Sequence, residues 1–90
     1  MILTFGVDSL KWLVVDDHHL EKTFNFDDFA TALEFVNVVG DICEKQDHHA
    51  EFTLSCGSVV IKTWSHDVQG ITGRDYDLAK AIDKVTTNGS

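Results

Sequence analysis

The chain has no proline, only two cysteines, no long apolar run, and fewer than half as many basic as acidic residues: seven Lys and Arg against fifteen Asp and Glu in 90 residues. Each shortage removes a class of protein. With no proline, no low-complexity tract and no internal repeat there is no sign of a linker, and the chain reads as one domain over residues 1–90. Cys43 and Cys56 are too few for the disulfide framework of a small secreted domain, so both are expected to be free, buried thiols in a reducing cytosol. The apolar opening from Met1 to Phe5 lacks a basic n-region and is too short to cross a bilayer, which predicts a cytoplasmic protein that does not associate with membranes. A net charge of −8 with no basic cluster excludes a reader of the phosphate backbone, because nucleic-acid affinity depends on neutralising phosphates. What is present is 43% hydrophobic residues with six Phe, two Trp and one Tyr, enough for a packed core. A chain this short buries a modest fraction of its surface, so self-association would help it.

Periodicity predicts the elements. Leu10 to Val15 is rich in β-formers, and Leu20 to Phe26 alternates with Leu20, Phe24 and Phe26 on one side, so Asp16-Asp17-His18-His19 is expected as a hairpin turn. Asn25 or Asp27 is placed to cap a helix in which Phe29, Leu33, Val36, Val39 and Cys43 form one stripe and Phe35, Val38 and Ile42 a second. Two stripes imply burial on two sides, against the sheet and against a neighbouring helix or subunit. The helix should end between Lys45 and Asp47. Phe52, Leu54 and Cys56 then alternate with polar residues, and Val59 to Trp64 continues as a partner strand after a Gly57-Ser58 turn. Thr72-Gly73-Arg74-Asp75 resembles a capping box with Asp in place of Glu, opening a last helix with Leu78, Ala79, Ile82 and Val85 inward; Thr86 to Ser90 reads as a frayed polar tail. The order β-β-α-β-β-α suits an α+β fold, a four-stranded antiparallel sheet with helices on one face.

The chemistry concentrates in His48-His49, with Glu44 before them and His66 and Asp75 after. Imidazole titrates near neutrality, so grouped histidines suggest proton transfer or metal ligation. All five positions fall at element ends, where loops converge into clefts. Solvated turn histidines are the plainest reading of His48-His49 taken alone. His18-His19 has the same dipeptide without such partners and serves as the control. Glu44, His48 and His66 could form a three-ligand metal set, but the two-histidine, intervening-glutamate spacing of a zincin is absent, and no metal is expected. Cys43 and Cys56 occupy apolar-face positions, where thiols are inert. Paired-carboxylate glycosidase chemistry needs a larger cleft.

The run Glu44-Lys45-Gln46-Asp47-His48-His49-Ala50, then His66-Asp67, then Gly70 to Ala79 resembles the pterin-4a-carbinolamine dehydratase family. The family pattern sets an acidic residue, three positions, His-His-Pro, an aromatic, a further His and an Asp; the intervals from Glu44 to His48, His49 to His66 and His66 to Asp75 hold without a gap. The likeness extends to Phe24-Asn25-Phe26-Asp27-Asp28-Phe29 and to Trp12, and spans about Lys11 to Val85. Ala50 stands where the pattern has Pro, Cys56 where it has an aromatic, and Val68 where some members carry Cys; the N-terminal helix of many members is reduced or absent.

The resemblance implies loss of water from a 4a-hydroxytetrahydropterin to give the quinonoid dihydropterin, in the recycling of tetrahydrobiopterin, with the pterin as substrate and no cofactor. It implies His48, His49, His66, Glu44 and Asp75 as catalytic residues and Trp12, His49, Asp67 and Arg74 as substrate contacts. Trp12 would offer a flat face to the pterin. Arg74 is open to two readings, a ligand contact or a solvated surface arginine. The resemblance further implies a homodimer or homotetramer. Its rival reading is a binding module, a dimerisation partner of a transcription factor or an assembly factor for another enzyme.

Overall fold

The computed structural model describes residues 12–88 and shows the order β1 (Leu13–Val15), β2 (His19–Asn25), α1 (Phe29–Gln46), β3 (Glu51–Ser55), β4 (Ser58–Thr63), α2 (Gly73–Asn88). The expectations for the N-terminal helix and for Leu10 lie outside the described residues. Four antiparallel strands run in the order β1-β2-β4-β3. The α+β class and element order are as the periodicity predicts.

Asp16 and Asp17 both have φ of 54°, and the His18 N–H donates to Val15 O at 2.9 Å. Two left-handed central residues make this a type I′ connection, whose twist matches the strands it joins. The turn is one residue shorter than expected: His19 belongs to β2 and pairs with Val15. The second hairpin also shifts. β3 stops at Ser55, and Cys56-Gly57 form the turn, with Gly57 at φ 86°, where a β-carbon would lie only 3.1 Å from Phe26 O. Only glycine takes that backbone without strain, so it fixes where the chain reverses. Cys56 is consequently exposed, whereas Cys43 is buried as expected.

Helix α1 is capped by Asp28, one residue later than expected, whose Oδ1 accepts from the Thr31 N–H at 2.8 Å. Its buried stripe is Ala32, Phe35, Val39 and Cys43, packed on Phe24, Val59 and Ile61 from the sheet and Leu78 and Ile82 from α2. The two expected stripes are re-sorted: Phe35 of the second is buried and Ile42 packs on the core, whereas Phe29 and Leu33 of the first and Val38 of the second stay exposed, without cover among the described residues. Helix α2 continues to Asn88 through the stretch expected as a tail. On the helix-free face, Lys62 sits in register between Glu21 and Glu51, a solvated row of alternating charge.

The antiparallel order brings the end of β1, the start of β2, the end of β4 and the start of β3 to one end of the sheet. His18-His19 enter β2 there, His48-His49 approach β3 there, and His66 leaves β4 there. The chain has five histidines, and all five gather at that end.

Candidate functional site

The end of α1 aims the histidine pair. Asp47 adopts the left-handed conformation (φ 53°, ψ 43°), its N–H donates to Glu44 O at 3.2 Å, and the His48 N–H reaches back to Cys43 O at 3.0 Å. These are the two reverse bonds of a Schellman motif, with Asp in the place glycine usually takes. The reversal turns His48 inward, where it is buried, and leaves His49 exposed.

His48 meets Asp75, and that carboxylate is the hub of the site. His48 Nε2 lies 2.5 Å from Asp75 Oδ1, which also accepts from Thr63 Oγ1 at 2.6 Å. Oδ2 accepts from Ser65 Oγ and from the Thr72 N–H, both at 2.9 Å. Asp75 thus makes its half of the capping box anticipated at the start of α2, while Thr72 Oγ1 accepts from the Arg74 N–H at 3.2 Å and the Asp75 N–H donates to Thr72 O at 3.0 Å. Asp75 is wholly buried. Burial pushes its carboxyl pKa up, but the hydrogen bonds from Thr63, His48, Thr72 and Ser65 together prevail and hold it below the ordinary carboxylate value. Asp75 is therefore ionised near neutrality and acts only as an acceptor, so the proton between the two side chains sits on His48 Nε2. The lone pair of a neutral His48 is then on Nδ1. No buried side-chain nitrogen or oxygen among the described residues is left without a partner, so this nitrogen, which makes no side-chain hydrogen bond, keeps contact with solvent.

His49 pairs with Glu44, Nε2 to Oε2 at 2.5 Å, on an exposed surface. Both line an open cleft of about 430 Å³ between α1 and β3, together with Val36, Ala50 and Phe52. His66 is exposed and packs against Trp64, ring centres 4.8 Å apart. Beyond it the Arg74 guanidinium pairs with Asp67 at 2.8 Å. That bond holds the Asp67 carboxyl below its usual range, although both groups are solvated. Of the three side chains that could have formed a metal set, Glu44 is engaged by His49, His48 by Asp75, and His66 by Trp64.

Trp12 lies elsewhere. Its indole N–H points at both carboxylate oxygens of Asp83, each at 3.2 Å, and its ring packs edge-on against Phe24 with the Lys22 ammonium above it. Asp83 is eight residues beyond Asp75 on α2, roughly 12 Å along the helix.

Sequence reasoning missed two parts of the site. The hydroxyls of Thr63 and Ser65 complete the Asp75 carboxylate beside the anticipated Thr72 N–H, and the signal for them was small hydroxyl residues at the end of one strand. His18 and His19, expected as a plain turn, pack on Trp64 with ring centres 5.0 and 5.9 Å away. A cross-strand meeting of that kind leaves no local pattern.

The fold is that of an α+β domain whose sheet end carries an imidazole cluster with one buried Asp-His pair. Residues 4–85 match the family model for pterin 4 alpha carbinolamine dehydratase, and the chain belongs to that family. It is 40% identical over 74 residues to a protein of Alkaliphilus metalliredigens provisionally named pterin-4-alpha-carbinolamine dehydratase, an alignment spanning 82% of this chain and 67% of that one. Among solved structures it is similar to a transcriptional coactivator/pterin dehydratase from Brucella melitensis, with TM-score 0.78 and 27% identity over 92% of this chain and 90% of that one. It also shares the fold of a pterin dehydratase-like RuBisCO assembly factor of the alpha-carboxysome, with TM-score 0.67 and 16% identity over 83% and 86% of the two chains.

Proposed function

We propose that this protein catalyses dehydration of a 4a-hydroxytetrahydropterin to the quinonoid dihydropterin, as a hydro-lyase in the recycling of tetrahydrobiopterin. The reaction breaks the C4a–O bond, and the N5 lone pair closes a C=N bond. The N5 proton leaves to a base, and the departing hydroxyl takes a proton from an acid, so the products are water and the dihydropterin. An acid and a base must therefore flank the ring.

The observation that carries this reading is the buried His48–Asp75 pair. An ionised Asp75 fixed by three further donors holds the Nε2–H tautomer of His48 and leaves Nδ1 as a base, or, once protonated, as an acid. His66 is the complementary acid–base group. His49, oriented by Glu44, holds the pterin or assists, and Asp67 and Arg74 border the ring. With purified protein and freshly generated 4a-hydroxytetrahydropterin, His48→Ala and His66→Ala should each lower turnover by roughly a hundredfold or more. Parent-like turnover in either variant would remove that residue from the mechanism.

A second reading is favoured by one feature: Phe29, Leu33 and Val38 on α1 are 40–47% exposed, and Leu13 and Val14 on the edge strand more so. Apolar surface of this kind is what a protein–protein contact covers. It supports a homodimer or homotetramer, and it leaves room for a role as a binding partner of another protein. A monomer by sedimentation at micromolar concentration would contradict the oligomer.

A further inference from the structure

Both tryptophans of the chain are half-buried. Trp12 packs against the core cluster, whereas Trp64 stands outside it. Its ring neighbours among the described residues are all imidazoles: His66 at 4.8 Å, His18 at 5.0 Å and His19 at 5.9 Å, tilted to the indole by 47°, 42° and 55°. None of the three lies flat on the indole. An indole kept out of the core, at the sheet end that also holds the acid–base residues, is a flat apolar surface packed by imidazoles alone among the ring neighbours described.

The protons in this cluster are ordered. His19 Nε2 lies 3.3 Å from Glu21 Oε1, and a carboxylate accepts, so in the neutral ring His19 Nε2 carries the hydrogen and Nδ1 the lone pair. His18 Nδ1 is 3.1 Å from His19 Nδ1, so His18 Nδ1 donates. The chain His18 to His19 to Glu21 thereby leaves Nε2 as the open acceptor of His18, whose ring centre is 5.0 Å from that of the indole.

We infer that Trp64 is the surface on which the planar bicyclic ring of the substrate stacks, with His66 at one side and His18 Nε2 accepting an N–H of the heterocycle at the other. This assignment rests on the dehydratase reading and gives it a binding surface from the β1–β2 hairpin and the end of β4. An indole beside an imidazole acceptor suits a flat heterocycle carrying ring N–H or amino donors, and the assignment gives a ligand role to His18, which the motif does not include.

The test is calorimetric titration with 7,8-dihydrobiopterin, a stable planar pterin. Trp64→Leu, which keeps apolar volume and loses the π face, should weaken binding about tenfold, the effect typical of removing one ring-stacking partner. Trp64→Phe should stay within about threefold of the parent, a rescue that a merely space-filling side chain would not require. His18→Phe, which keeps a ring against Trp64 and loses the acceptor, should weaken binding several-fold. It gives an independent reading should Trp64→Leu not fold. Parent-like affinity in Trp64→Leu or in His18→Phe, with turnover still lost in His66→Ala, would overturn the stacking assignment and leave the dehydratase reading standing. No binding by the parent protein would overturn both.

Discussion

Replacing Asp75 with asparagine changes almost nothing in shape and yet should damage both stability and catalysis. The carboxylate receives four donors, two of which cannot re-aim: the Thr72 N–H at Oδ2 and the His48 Nε2–H at Oδ1. Asparagine must place its NH₂ at one of those positions. At the Oδ2 position it faces the fixed Thr72 N–H, and one buried donor goes unpaired, a cost of about 1–3 kcal/mol. At the Oδ1 position it faces His48, which can accept only by moving its proton from Nε2 to Nδ1. The rotated hydroxyls of Thr63 and Ser65 can accommodate either choice. A domain of 90 residues has a total stability on the order of 5–13 kcal/mol, so the variant should fold but unfold at visibly lower denaturant. In the second arrangement His48 Nδ1 becomes a donor and can no longer take a proton. Turnover should then fall by roughly 10²–10⁴, as when the aspartate of a Ser-His-Asp triad becomes asparagine. Denaturant titration, initial dehydration rates and ¹⁵N spectra of the His48 ring read the three consequences. Unchanged stability with parent-like turnover would refute the assignment of Asp75 as the group that sets the His48 tautomer.

Acid should expose the same carboxylate. Its folded pKa lies below the ordinary 3.8, so its contribution to stability is complete above that value and is lost as pH falls through the lower, folded one. The stability gap between parent and Asp75→Asn should therefore be constant above about pH 4 and narrow below it; a gap that stays constant into acid would contradict this. Lys22 is buried with its ammonium 2.5 Å from Asp83 Oδ1, over the rings of Trp12 and Phe24. Asp83→Ala strips a buried cation of this carboxylate and should cost about 3 kcal/mol by denaturant titration, whereas Lys22→Met, which removes the charge and keeps the apolar stem, should cost less. The opposite order would show that the pair is not what holds the lysine. In native protein a thiol reagent should label Cys56 quickly and reach Cys43 only on unfolding, since Cys43 is buried and burial pushes its thiol pKa up. Rapid labelling of both would mean that α1 does not pack on the sheet as described.

Much of this architecture could be read from residue order. The α1 periodicity, the alternation along β2 and β4 and the Thr72–Asp75 box are local signals, and local signals survive translation into structure. The misplacements are also local, and each has a physical reason. Asp28 outcompetes Asp27 as the cap because its carboxylate reaches the Thr31 N–H, and Gly57 draws the second turn back onto Cys56 because at φ 86° a β-carbon would crowd Phe26 O. The motif intervals point to His48, His49, His66, Glu44 and Asp75 as a group, and the structure sorts them into a buried pair, an exposed pair and a histidine on an indole. That sorting depends on contacts between residues far apart in sequence, such as Trp12 with Asp83 and Thr63 with Asp75. Periodicity says which face a residue takes, but it does not say which distant partner waits there.

The most direct measurement is the decay rate of freshly generated 4a-hydroxytetrahydropterin, followed by absorbance near neutral pH with and without the unmodified protein. Clear acceleration over the spontaneous reaction, removed by His48→Ala, is the expected result. An unaccelerated decay at micromolar protein would contradict the dehydratase function, and the exposed apolar face of α1 would become the place to seek another.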